Sequence, residues 1–452
     1  MVAARRGARD CTATDCAGPA PEDTVTDTTL PTPSRARGGA VAVAVALAAA
    51  NLLGYSFNLV ASRRLGPAGY GAVAALLGIV LIGNVIALAL QAVVARRAAS
   101  SLSSAPDCAD TPVTSWATRL AWRAGGGLLV AGLLGSPLVT AWLHLASPLG
   151  AVWVAVTLLP LTLIGAQLGV LQGAERFHRL AVLYAVAGAG KVGGGVVGVV
   201  TLGSVAGAMG GTAIGSCLAA AAGSVLIRRG SNADTSVGAA TAAGSGREVV
   251  HAAYALGALF ALSNVDVVLA RHYLSAHEAG LYAVGAVVAK GAFWLPSVVP
   301  VIALPGLADP LRRRSTAARA LAAVALSASV LTIGAFVFGS LVVRMIGGSA
   351  YTELGDQVWL FAAAGSLLAV AQVLLYSRLA TEDRRAIAPM WALVVVEAAV
   401  IGLWRHDSPT EIVAVIVSGA LALAVAGALV EAAEHGPFRW LTPRSSRATD
   451  QG

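Results

Sequence analysis

Long apolar stretches of roughly 18–25 residues recur along the whole chain, and no other feature restricts its folding options so strongly. A helix rises 1.5 Å per residue, so about 20 such residues cross the ~30 Å hydrocarbon core of a bilayer. In a soluble domain, runs this long and this frequent would have no dry place to go. Composition agrees: 57% of the 452 residues are hydrophobic and 12% charged, where soluble domains carry about 25% charged residues. Mean hydropathy is +0.76. The chain therefore reads as an all-α polytopic membrane protein, and a soluble α/β enzyme is excluded.

The apolar pattern predicts twelve spans, at 39–61, 71–94, 120–143, 149–171, 180–202, 204–227, 250–270, 280–304, 317–340, 356–377, 386–404 and 411–433. Gly203 marks the divide between the fifth and sixth. The net charge of +8 does not imply nucleic acid, because the arginines sit in short loops between spans rather than interleaved with aromatics on a polar surface. They report orientation instead. With the N-terminus inside, 24 of the 31 Lys and Arg residues fall on the cytoplasmic side. Five fall outside: Arg63, Arg64, Arg271, Arg344 and Arg405. This asymmetry follows the positive-inside rule and places both termini in the cytoplasm of a cell-membrane protein.

Residues 1–38, rich in Thr, Pro, Ala and Asp, read as a disordered cytoplasmic tail, with no apolar run near the start to act as a secretory signal. Cys11, Cys16, Cys108 and Cys217 show no metal-ligand spacing. No cofactor or metal is expected.

A repeat organises the rest. `ASRRLGPAGYGAVAAL` (61–76) and `ARHYLSAHEAGLYAVGAV` (270–287) each end one span and begin the next, with Leu65 and Gly71 matching Leu274 and Gly280 at a shift of 209 residues. A second echo pairs `VLQGAERFHRL` (170–180) with `LLYSRLATEDRRAI` (374–387). Two six-helix copies follow: a lobe at 39–229, a cytoplasmic linker at 230–249, a second lobe at 250–434, and a tail at 435–452. Six is even, so the copies share one orientation about an axis along the membrane normal, as in secondary transporters that rock two lobes around a central cavity.

These residues also carry a family likeness. `NLLGYSFNLVASRRLGPAGYGAVAALL`, `VLQGAERFHRLAVL`, `NVDVVLARHYLSAHEAGLYA` and `VVAKGAFWLPSVV` resemble polysaccharide flippases of the multidrug/oligosaccharidyl-lipid/polysaccharide exporter superfamily. The resemblance runs from Asn51 to the end of the twelfth span. It implies two six-helix lobes around a cavity, and a substrate of the undecaprenyl-pyrophosphate-linked sugar type. Sister branches of the same architecture carry lipid II or drugs. The family's segments around Asp266 and Lys290 commonly hold an acid and a base.

Ionisable groups inside spans are costly and so mark function. The chain's two lysines, Lys191 and Lys290, both lie there. Lys290 has three roles open to it: substrate or coupling-ion contact, an ion pair with Asp266, or snorkelling. Lys191 sits in `GAGKVGGGVVGV`, where Gly188, Gly190 and Gly193 spell G-x-G-x-x-G in mid-helix, without the strand that a dinucleotide site needs. There the glycines serve close helix approach, as do Gly207, Gly211 and Gly215. Lys191 and Lys290, with Arg63, Arg64 and Arg271, are the candidate contacts for a pyrophosphate, unless the arginines are simply solvated helix ends. Asp266 and Glu397 are the candidate carriers of a coupling proton or sodium, Glu397 having a pairing with Lys191 as its other role. Among the buried amides Asn58, Asn84, Gln91, Gln167, Asn264 and Gln372, Asn58 and Gln91 are put forward as sugar contacts, although most such amides only join helices. Pro296, Pro300 and Pro305 bend the eighth span.

No paired-carboxylate loop, Ser/His/Asp set or soluble nucleotide-binding domain is visible, so the chain is not expected to be an enzyme. The sequence reads as an ATP-independent, cation-coupled flippase of a lipid-linked oligosaccharide or polysaccharide precursor. The competing readings are a multidrug cation antiporter of the same fold, an integral-membrane glycosyltransferase or polymerase, and a non-transporting scaffold.

Overall fold

The computed structural model describes residues 33–102, 111–228, 236–237, 245–296, 313–379 and 387–435. The tail at 1–32 with Cys11 and Cys16, most of the linker, Cys108, Pro300, Pro305, the charged end of the second echo and the last residues lie outside that set. Fourteen α-helices make up almost all of the described chain: α1 (Pro33–Gly83), α2 (Val85–Leu102), α3 (Val113–Trp142), α4 (Leu149–Gly173), α5 (Phe177–Leu202), α6 (Val205–Arg228), α7 (Ser245–Leu262), α8 (Val265–Tyr273), α9 (Ala276–Trp294), α10 (Arg313–Val337), α11 (Gly339–Ile346), α12 (Val358–Leu379), α13 (Ile387–Leu403) and α14 (Pro409–His435). A 3₁₀ turn spans Ser349–Leu354. Two short strands, β1 (Thr111–Pro112) and β2 (Ser236–Val237), pair antiparallel.

Each expected span falls on one of these helices or on a bent pair, the eighth being described only as far as Pro296. Among the described residues, seven helices are long and apolar enough to cross a membrane, and the α7–α8 pair, bent by 49°, makes eight. One of the seven is the 59-residue stretch Ala42–Ser100. As a straight helix it would be about 88 Å long, far beyond one crossing. It is broken at Gly66, which sits in the left-handed region at φ 65°, with Pro67 starting the next helix. Tyr70 donates a hydrogen bond to Asn58 Oδ1 at 2.9 Å. Twelve residues of continuous helix would hold those residues about 18 Å apart, so the chain folds back at Gly66 and the stretch is two spans.

The second copy turns at the same register by other means. Leu274 is extended, and Ser275 caps α9 in a capping box with Glu278. Ser275 Oγ accepts from the Glu278 N–H at 3.3 Å, and the Ser275 N–H donates to Glu278 Oε2 at 3.2 Å. Here too a tyrosine reaches back across the turn: Tyr282 donates to Asp266 Oδ2 at 2.9 Å.

In the first half α3 packs on α4, α4 on α2 and α6, and α5 on both α1 and α6. In the second, α12 packs on α9, α10 and α14. The α5–α6 seam has almost no side-chain thickness, since a Cβ on Gly194 would collide with the Gly211 carbonyl. The halves meet through α1 against α8 and α9, and α2 against α7. At the centre of that seam the repeat-equivalent glycines touch: a Cβ on Gly71 would lie 2.9 Å from the Gly280 nitrogen, and one on Gly280 would run into the Pro67 carbonyl. Positions matched by the sequence repeat thus meet at the seam between the halves.

Gly280→Val should therefore force the halves apart and cost about 1–3 kcal/mol by overpacking, read as a lower thermal midpoint in detergent. Gly334→Ala, where an added Cβ meets nothing within 4 Å, should leave the midpoint nearly unchanged. Equal midpoints for the two variants would contradict the contact.

Candidate functional site

A cavity of about 210 Å³ lies where α1 meets the second half, lined by Asn51, Leu81, Asn264, Asp266, Lys290, Trp294 and neighbours from α12 and α14. It is built around the α7–α8 break. Non-helical backbone within a membrane leaves carbonyls without partners, and is tolerated where side chains satisfy them or a cavity borders them. Asn264, only 2% exposed, does both jobs. Its Nδ2 donates to the Phe260 carbonyl at 2.8 Å, and its Oδ1 accepts from Lys290 Nζ at 2.9 Å.

Asp266 follows in the first turn of α8, where the helix N-terminus favours a negative charge. One of its oxygens accepts from Tyr282, which is fully buried, and the other has no hydrogen-bond partner. Lys290 and Asp266 thus line one cavity, yet no ion pair joins them among the described residues: Asn264 takes the ammonium and Tyr282 holds the carboxylate. Glu397, on α13 and 2% exposed, sits close enough for its charge to act on Tyr282 and Asp266. Its Oε1 rests against Gly419 of α14, and its Oε2 is unpartnered.

The other sequence candidates lie elsewhere. Lys191 is half-buried on α5, on the side of that helix where Gly188 meets Ala50 and Gly195 meets Phe57, so it faces α1. It is not among the residues lining the cavity, and no ion pair links it to Glu397 among the described residues. Asn58 is held by Tyr70 and by the Gly54 carbonyl. Gln91 donates to Gln172 Oε1 at 2.9 Å and to Tyr184 at 2.7 Å, inside the first half.

The arginines predicted near the exit belong to a seam between the halves. Arg63 donates to the Met345 carbonyl at 2.6 Å, and Ser62 to that of Ile346 at 3.0 Å. Tyr351 returns a bond to the Ser62 carbonyl at 3.1 Å. Going the other way, Arg271 donates to the Leu143 carbonyl at 3.1 Å, and His272 contacts that of Trp142 at 2.8 Å. At the repeat shift Ser62 and Arg63 align with Arg271 and His272, so the same register positions cap helix ends of the opposite half, α11 in one direction and α3 in the other. Arg64 is exposed. At the far end of α2, Arg97 pairs with Glu248 of α7 at 2.8 Å.

Asp266 and Lys290, named from the sequence, both line the cavity; Asn51, which also lines it, and Tyr282, which holds Asp266, were not named. A tyrosine just past each hairpin, Tyr70 and Tyr282, was the available signal. Among the described residues, no three His, Cys, Asp or Glu side chains converge as a metal-ligand set.

No protein-family model matches the sequence, and no curated protein matches it. Solved structures do. An inward-facing multidrug resistance MATE family transporter of the MOP superfamily superposes with a TM-score of 0.67 at 11% identity, over 85% of this chain and 94% of that one. The lipid II flippase MurJ in an inward closed conformation gives 0.62 at 11% identity, over 86% and 87%. A MOP superfamily transporter from Pyrococcus furiosus gives 0.55 at 13% identity, over 88% and 96%.

A hydrogen bond to a charged group is worth about 1.5–3 kcal/mol, and a neutral one about 0.5–1.5. Tyr282→Phe should therefore destabilise the protein more than Tyr70→Phe, which loses only the bond to Asn58. Thermal unfolding of both variants checks this; a larger loss for Tyr70→Phe would mean that the Asp266 contact is not charge-assisted. The fold is similar to that of these solved transporter structures.

Proposed function

We propose that this chain is an ATP-independent flippase of the cell membrane, with both termini cytoplasmic, which moves a lipid-linked sugar of the undecaprenyl-pyrophosphate type across the bilayer by alternating access. The observation that carries the reading is Lys290, a cation presented to the cavity by an uncharged partner. Asn264 takes one hydrogen bond of its ammonium, Asp266 lies close enough to act on it by charge without a direct contact, and its other donors meet an anionic head group. The two lobes are taken as 39–229 and 250–434. At about 210 Å³ the cavity is smaller than the roughly 300–1,000 Å³ of ligand sites, so a head group enters only when the lobes part. The seam at Arg63 and Arg271 is the gate that must open on the outer side. Protons or sodium drive the cycle through Asp266 and Glu397.

A second reading, a multidrug cation antiporter, has its own support. Asp266 and Glu397 lie together, and Phe260, Phe293 and Trp294 border the same cavity, a setting that suits an apolar cation.

A leaflet-accessibility assay of lipid-linked sugar in a flippase-depleted strain separates the two. Lys290→Ala should lower transport by roughly tenfold to a hundredfold, the worth of charge-assisted bonds, with partial recovery in Lys290→Arg. Lys191→Ala should cost less, since that residue stands off the cavity. Full sugar transport in Lys290→Ala would remove it from the site. Dye efflux without sugar transport would favour the antiporter, and transport indifferent to collapsed ion gradients would sink the coupling.

A further inference from the structure

A second and larger cavity, of about 840 Å³, lies between α3 and α6 with α4 as its floor. Both helices pack on α4. No residue of α1, α2 or the second half lines it, so it stands apart from the central cavity. Its floor is apolar, with Leu159, Pro160 and Leu163, and Trp122 stands exposed on one wall. On the α6 wall it runs from Cys217 to Arg228, about 16 Å along the helix, reaching from the end of the spans into the depth of the hydrocarbon.

Its cations give this groove a chemistry. Arg119 and Arg228 line it at the arginine-rich end of the spans; both are exposed, and neither forms an ion pair among the described residues. Deeper in stands Gln167, only 9% exposed. Its Nε2 donates to the Ala220 carbonyl at 2.9 Å and to Ser224 Oγ at 3.0 Å, tying the α4 floor to the α6 wall, while its Oε1 is turned away against Gly223. The groove thus offers an apolar trough and two cations for a phosphate.

We propose that this groove binds an anionic phospholipid, taken from the leaflet on the arginine-rich side. Arg119 and Arg228 hold the phosphate, and an acyl chain lies along Leu159 and Leu163. Charge complementarity selects the occupant: a zwitterionic lipid fills the trough equally well but leaves the arginines without net compensation. The site does not depend on what the central cavity carries.

Cys217 lies exposed on the wall and reports occupancy. In the full-length chain carrying Cys11→Ser, Cys16→Ser and Cys108→Ser, purified in neutral detergent, its labelling rate with an apolar maleimide is measured against added phosphatidylglycerol or phosphatidylcholine. Phosphatidylglycerol should protect Cys217 and phosphatidylcholine should not. Arg119→Gln with Arg228→Gln should raise the half-protecting concentration by roughly tenfold or more. Both arginines are exposed, so the double variant should fold. Native mass spectrometry should show one retained phosphatidylglycerol lost in the double variant. Equal protection by both lipids, no protection by either, or protection that survives loss of the arginines would overturn the proposal.

Discussion

Backbone contact between Gly71 and Gly280 is the constraint from which the rest of the molecule is laid out. With no side chain on either residue, the two hairpins approach until main chain meets main chain. At one end of the spans the seam is closed by reciprocal capping. Ser62 and Arg63 satisfy carbonyls at the end of α11, and Arg271 and His272 satisfy those at the end of α3. Helix C-termini are partial negative charges with unsatisfied acceptors, so cations placed there both cap and latch. Repeat-equivalent positions do this work in both directions, Ser62 matching Arg271 and Arg63 matching His272.

The central site is a consequence of one broken helix. Interrupting the seventh span at Ser263–Asn264 frees backbone groups that hydrocarbon would not tolerate, and Asn264 answers with its amide nitrogen. Its remaining oxygen is then positioned to orient Lys290. Asp266, one turn on, is held by Tyr282 across the hairpin, and Glu397 closes in from α13. One cation and two acids thus lie close together without a direct pair between Lys290 and Asp266.

Much of this was legible from the residues. Span length and apolarity follow from composition along a line, and the helices match the expected spans, including the divide at Gly203, which takes a left-handed φ of 56°. The hairpin repeat was legible because Leu65, Gly71, Leu274 and Gly280 keep their spacing. The partner of Lys290 was not, since proximity in sequence favours Asp266 while the bend at Asn264 presents an amide instead. Arg63 and Arg271 read as exit-side cations, and whether they face a ligand or cap a neighbouring helix depends on where α11 and α3 end.

The sequence by itself determined that the chain is built of helices long and apolar enough to cross a membrane, where one span ends and the next begins, and which residues are too polar to sit in lipid without a reason. Each of these is a property of the order of residues, since hydrocarbon thickness and the rise of a helix convert length into a crossing directly. Only the tertiary structure decided which polar groups meet. A contact between Lys290 and Asn264, or between Arg63 and the end of α11, depends on helix rotation and crossing, which are set by packing at Gly71 and Gly280 rather than by any residue's neighbours in the chain.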